Sequence, residues 1–230
     1  MIWPLLYTCI SHGILSTHLK PHDVYSLCMD DETIFEDLKN KVNHCKKCPL
    51  YRTKIHYVFG SGSIKASIMF IGEAPGANED RIGTPFVGRA GKILDELLNS
   101  INLKREEIYI ANILKCRPPQ NRNPSIEEIA ACIDYLNNQI DIIKPNVLVP
   151  LGSFASKYIL QKYDIPFHSI SEVHGKIFQK NTIFGTLSII PMFHPAVATY
   201  NPQKKNILLK DMKKLSEILS KNTIDSQICR

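Results

Sequence analysis

From residue 67 onward, short apolar runs alternate with longer amphipathic stretches, and this alternation constrains the fold more than any other feature of the chain. Residues 67–71, 108–111, 146–150 and 187–193 have the length and the apolar or β-branched content of strands. Residues 89–100, 126–140, 154–161 and 206–219 carry helical patterns. In the last of these, Leu208, Met212, Leu215 and Leu219 make one apolar stripe, with Lys210, Lys213, Lys214 and Lys221 largely away from it. A repeated strand–loop–helix order predicts an α/β fold, a three-layer α/β/α sandwich on a central, mostly parallel, four-stranded sheet. Residues 176–179 suit a hairpin with the final strand, and a helix from about Ile34 leads into the domain. At 230 residues and 44% hydrophobic the chain can bury a sizeable core. Residues 1–33 read as an extension with an acidic linker, 34–221 as one domain and 222–230 as a tail.

Four cysteines bear on that domain. Cys45 and Cys48 form a C-x2-C in a short polar segment, and Cys116 and Cys132 follow with fifteen residues between them. Cys132 lies in a helix opened by the capping box Ser125-Ile126-Glu127-Glu128. Thiolates so spaced can converge on one soft metal centre that staples the domain. Only the first pair is itself a metal-type spacing, so four unrelated buried thiols are the plain alternative. Cys9, Cys28 and Cys229 show no spacing logic. Seven cysteines are too sparse for a disulfide scaffold, and an odd count fits a reducing compartment.

Charge is unevenly spread. The chain carries +6, but residues 1–40 set two lysines against six acidic residues, so the remainder carries +10. Such a surplus suits a polyanionic partner, though a solvated basic surface would look the same. No Lys or Arg precedes the apolar opening, and no segment reaches the ~20 apolar residues of a membrane span. The expectation is a cytoplasmic protein with no membrane partner.

The unusual residues collect at the carboxyl ends of the predicted strands. Gly72-Glu73 follows the first, Asn112 closes the second, Gly152 follows the third and His194-Pro195 the fourth. Singly, each has an innocent reading as a turn or cap residue. Together they predict one cleft, because ligands of open α/β sheets bind at that edge.

Those segments resemble a known family. Gly72-Glu73-Ala74-Pro75-Gly76 with Glu79-Asp80, then Gly83-Thr84-Pro85-Phe86-Val87-Gly88-Arg89-Ala90-Gly91, is similar to the first motif of family 4 uracil-DNA glycosylases. Tyr109-Ile110-Ala111-Asn112-Ile113-Leu114-Lys115-Cys116-Arg117-Pro118-Pro119, with Asn121-Arg122 and Pro124, resembles its second block, and His194-Pro195-Ala196 its last. The resemblance covers about residues 38 to 219. It implies a single uracil-DNA glycosylase-like domain, an enzyme that releases uracil from single- or double-stranded DNA for base-excision repair, acting as a monomer. It also implies one [4Fe–4S] cluster on Cys45, Cys48, Cys116 and Cys132, where spacing alone leaves zinc open.

Site roles follow from the resemblance and suit the residue types. A glycosylase reads an extruded base by stacking and by hydrogen bonds to its edge. Phe86 offers the flat face, and the Asn112 amide presents a donor and an acceptor to N3–H and O4 of uracil. Glu79 is the expected wall against the thymine methyl, and the pocket is expected to include Gly72, Glu73, Ala74 and Asn121. His194 is the catalytic candidate, its N–H stabilising the departing uracil anion near O2. Ala74 stands where some glycosylases carry an activating aspartate, leaving Glu73 as the group to help position water. Lys115, Arg117, Arg122, Lys204 and Lys205 are expected to form a DNA-binding rim. In residues 197–202, Thr199 and Tyr200 replace a Leu-Arg pair common in the family, so Tyr200 either stacks in DNA as a wedge or packs on the domain. A relative that traps uracil-DNA covalently carries an inserted histidine after the second block, and Gln120-Asn121-Arg122-Asn123-Pro124 has none. A non-catalytic binding module would need neither Asn112 nor His194.

Overall fold

Strand-forming runs produce strands where their patterning places them, and the edges add two more. The computed structural model describes the backbone of residues 30–199 and 201–228, with side chains to residue 220. Its strands are β1 (Ser61–Gly62), β2 (Ile68–Gly72), β3 (Tyr109–Asn112), β4 (Val147–Pro150), β5 (Phe178–Thr182) and β6 (Gly185–Ile189). They form one sheet in the order β1-β3-β2-β4-β6-β5. The inner four are parallel, whereas β1 runs antiparallel to β3 and β5 antiparallel to β6. The sheet therefore has six strands, not four. Both additions are edge strands that lack the apolar signature of the interior: β1 is Ser-Gly, and β5 alternates half-buried with exposed positions. The last predicted run is shorter as a strand, with β6 ending at Ile189, although Ile190 and Met192 still donate to Leu148 O and Pro150 O at 2.9 Å. Met192 also forms an isolated parallel bridge with Leu151, just past the end of β4.

The helices are α1 (Asp31–Asn43), α2 (Ala77–Ile82), α3 (Arg89–Asn99), α4 (Ile126–Ile143), α5 (Gly152–Lys162), α6 (Ile170–Val173) and α7 (Pro202–Ile228). Short α2 and α6 fall in stretches without helical periodicity, since one turn or two cannot display it. Helix α7 runs on through most of the expected tail. Asp30 caps α1 by accepting from the Thr33 N–H at 2.7 Å. The capping box of α4 forms as expected: Ser125 Oγ accepts from the Glu128 N–H, and the Glu128 carboxylate accepts from the Ser125 N–H.

Alternation along the buried strands assigns the layers. Met69, Ile71, Tyr109, Ala111 and Leu148 face α1, α4 and α5, meeting Phe35, Leu38, Leu136, Ile140 and Ile159. Ile68, Phe70, Ile108, Ile110, Val147 and Val149 face the other way, onto Leu94, Leu97 and Leu98 of α3 and Leu208, Met212 and Leu215 of α7. Each fully buried Leu, Ile, Val, Met or Phe among them contributes about 1.5–3 kcal/mol by leaving water. The expected α/β/α sandwich results, and the carboxyl ends of β2, β3 and β4 lie together at one edge.

Candidate functional site

The residues that close or follow the central strands shape a single pocket. Gly72 pairs in register with Asn112, so the ends of β2 and β3 meet side by side. A Cβ on Gly72 would stand 2.3 Å from Asn112 Oδ1 and 2.9 Å from the Phe86 ring, closer than any real contact allows. Gly72 is thus what permits those two side chains to approach. Gly152, at φ +86°, begins α5 after β4, and its missing Cβ leaves room for His194.

The resulting cavity, of about 450 Å³, is lined by Glu73, Ala74, Pro75, Gly76, Glu79, Phe86, Ala90, Asn112, Pro118, Asn121, Arg122, Asn123, His194 and Ala196. That volume suits a small planar ligand. Asn112 is 2% exposed, and its backbone carbonyl is held by Lys115 Nζ at 2.8 Å. The Phe86 and His194 rings lie 5.6 Å apart at 27° on one wall. Glu79 Oε1 accepts from the Val87 and Gly88 N–H groups at 3.0 and 2.9 Å, tying the Phe86 loop to α2.

Electrostatics define His194 and Glu73. The Ala196 N–H donates to His194 Nδ1 at 3.2 Å, which places the proton of the neutral ring on Nε2. Burial lowers the His194 pKa to about 4, with the Glu79 carboxylate pulling weakly the other way. Near neutral pH the ring is therefore an uncharged N–H donor. Burial raises the Glu73 carboxyl above its ordinary value, making it a stronger base once ionised.

A second constellation lies behind the pocket. Cys45 and Cys48 from the loop after α1, Cys116 after β3, and Cys132 on α4 are reduced and line one hollow. Val42, Leu50, Tyr51, Tyr57, Leu114 and Tyr135 complete its walls. The Lys115 N–H donates to Cys132 Sγ at 3.3 Å. Burial raises the Cys116 thiol to about 12 and the Cys132 thiol to about 11, each further opposed by the neighbouring cysteines. Four thiolates there would need a cationic centre to stay ionised. Among the described residues, no three His, Cys, Asp or Glu side chains gather tightly enough to hold one metal ion.

Comparison with known proteins decides the family. The model of the uracil DNA glycosylase superfamily matches residues 59–218. The chain is 46% identical over 186 residues to the type-4 uracil-DNA glycosylase of Archaeoglobus fulgidus, covering 81% of this chain and 94% of that protein. It is 46% identical to the type-4 enzyme of Sulfurisphaera tokodaii, covering 80% and 84% respectively. It is 44% identical to that of Saccharolobus solfataricus, covering 81% and 87%. The chain belongs to the uracil DNA glycosylase superfamily.

As a superfamily member, the chain gathers Glu73, Ala74, Glu79, Phe86, Asn112, Asn121 and His194 around one pocket, with Gly72 packed behind. The basic rim is different. Lys115 is 1% exposed and cannot reach DNA: its Nζ donates to Asn112 O and, at 2.7 Å, to Gln139 Oε1, and burial lowers its pKa to about 8. Its place in the chain suggested a surface cation; the buried acceptors behind β3 are what took it inside. Arg117 Nε donates to Asn121 Oδ1, Arg122 forms a bidentate pair with Glu128, and Lys205 pairs with Glu96. Lys204 Nζ lies 3.9 Å from the centre of the Phe193 ring. Tyr200 lies outside the described residues. Sequence reasoning missed Gln139, fully buried on α4, which also donates to Phe59 O and Tyr109 OH. Its signal was faint: one amide on an otherwise apolar helical face. No described helix is long and apolar enough to cross a membrane.

Proposed function

We propose that this pocket removes uracil from DNA by hydrolysing its N-glycosidic bond, releasing free uracil and leaving an abasic site. The observation that carries the reading is the convergence of a stacking ring, an edge-reading amide and a neutral imidazole donor in one cavity. The extruded base stacks on Phe86, and the Asn112 amide bonds N3–H and O4. Cytosine offers an amino group and no N3–H, which leaves that amide mispaired at a cost of ~1–3 kcal/mol or more. Glu79 stands as the wall against the thymine methyl.

As the bond to C1′ lengthens, charge moves onto the uracil ring and the sugar becomes oxocarbenium-like. His194 Nε2–H stabilises the developing anion at O2 without transferring its proton. Glu73 orients the water that attacks C1′ and accepts its proton. Arg117, Arg122, Lys204 and Lys205 supply phosphate contacts, which position DNA without reading sequence. One chain carries all the described residues of the pocket, which is what a monomeric enzyme would need.

Cys45, Cys48, Cys116 and Cys132 would hold a [4Fe–4S] cluster. Four cysteine thiols lining one hollow are a donor set suited to such a soft, multi-iron centre. When bound, the cluster supplies a four-thiolate cross-link between α1, the β3 loop and α4. The test is uracil release by the purified holoprotein from oligonucleotides with one uracil, cytosine or thymine at the same position. Release of uracil alone is the expected result; binding without release would make the chain a recognition module.

A further inference from the structure

Phe86 holds an unusual backbone for a bulky side chain. Its φ is +53°, in the left-handed region that glycine favours. The loop must therefore be held in place from outside, and one side chain does this from beyond the pocket lining. Arg105, in the short 3-10 turn Arg105–Glu107 leading to β3, donates from Nη2 to Phe86 O at 2.6 Å. The same guanidinium reaches Pro85 O at 3.3 Å through Nη1 and Gly91 O at 3.3 Å through Nη2, and its Nε pairs with Asp95 Oδ1 at 2.5 Å. Gly91 closes the far side: a Cβ there would lie 1.9 Å from Phe86 O.

We propose that Arg105 is a positioning residue for base recognition, its guanidinium locking the left-handed Phe86 backbone so that the ring is preset to stack on the extruded pyrimidine. The inference rests on the stacking role of Phe86 proposed above. Three features support it. Three carbonyls and a carboxylate absorb four of the five guanidinium donors, so Arg105 is committed to the protein rather than to phosphate. The planar fork spans acceptors that a lysine ammonium could not span together. From the opposite side, Glu79 holds the Val87 and Gly88 N–H groups, so carbonyls and amides of one loop are gripped separately.

The test is a double-mutant cycle in single-turnover uracil excision, using Arg105→Lys, Phe86→Ala and the double variant of the holoprotein. Arg105→Lys keeps a cation beside Asp95 but loses the bridge. It should slow excision about tenfold to 10²-fold, the order expected when a reacting group is misplaced by up to ~1 Å. In the Phe86→Ala background the same change should cost less than about threefold, because the ring it positions is already gone. Affinity for uracil-free DNA should stay within about twofold of the parent in all variants. Equal losses in both backgrounds would overturn the proposal in favour of a general structural role. A fall in uracil-free DNA affinity with a shallower salt dependence would overturn it in favour of a phosphate contact. If Arg105→Lys does not fold, Asp95→Asn loosens the same guanidinium and is read by the same cycle. Absence of excision by the unaltered holoprotein would count against the proposed function, not against the cycle.

Discussion

Replacing Gly72 by Ala adds one methyl group where the end of β2, the Asn112 amide and the Phe86 ring converge. The backbone at Gly72 is not left-handed, so alanine introduces no conformational strain there; space alone decides the outcome. The new Cβ would lie 2.3 Å from Asn112 Oδ1 and 2.9 Å from two Phe86 ring atoms. Relief to ordinary van der Waals distance requires the Asn112 amide to move by roughly 1 Å and the ring by about half that. Asn112 is enclosed, with its backbone carbonyl fixed by Lys115, so its amide can yield only toward the pocket. Overpacking of this kind costs about 1–3 kcal/mol in stability, and a ~1 Å misplacement costs about 10²-fold in rate. The assay is single-turnover excision with enzyme in excess over a uracil oligonucleotide, with heat or alkali revealing abasic sites, beside a thermal melt. A folded Gly72→Ala protein that excises uracil within about threefold of the parent would refute the reasoning, because the edge reader would then have no fixed place to lose.

Other outcomes follow from the same geometry. If the proposed cluster is present, Cys132→Ala should abolish iron–sulfur absorption and lower the melting temperature, since each thiolate would close a long loop through the metal; a colourless variant of full stability and activity would remove Cys132 from the ligand set. Asn112→Asp should depress uracil excision by about 10²-fold or more through loss of the amide donor to O4, with cytosine release as a secondary readout; an unchanged uracil rate would disqualify Asn112 as the reader. The rate should fall in acid through a value above the ordinary glutamate range, as Glu73 protonates, and Glu73→Gln should slow excision and flatten that limb. Stability has its own sign: below about pH 6.5 the unfolded chain protonates His194, while the folded chain resists to about pH 4. His194 therefore withdraws stability as pH falls across that interval, to an extent that His194→Gln should reduce in acid melts.

Patterning revealed the inner fold because buried parallel strands must be apolar on both faces, and residues 67–71 and 146–150 had no other use. The edges did not announce themselves: Ser61–Gly62 and Phe178–Thr182 are held by backbone pairing, which leaves little trace in side-chain type. The pocket residues were legible because Gly72, Asn112 and His194 sit at strand ends, where topology alone brings them together. Lys115 was misread since its neighbours in sequence, Cys116 and Arg117, say nothing of Gln139 on α4, whose amide oxygen receives the ammonium inside. The role of Arg105 was equally hidden, because its acceptors are backbone carbonyls that any sequence would supply. The tautomer of His194 depended on one amide, that of Ala196, two residues on.

The central claim is that a neutral His194 stabilises the departing uracil anion. Its most direct measurement pairs the single-turnover excision rate with the affinity for uracil-containing DNA, both for His194→Ala at one fixed salt concentration. The account predicts a rate lower by roughly 10²–10³, the usual cost of one such donor, with affinity changed by less than about fivefold because phosphate contacts and the Phe86 stack are intact. A rate equal to that of the parent would contradict the catalytic role, and a parallel collapse of rate and affinity would make His194 a binding residue instead.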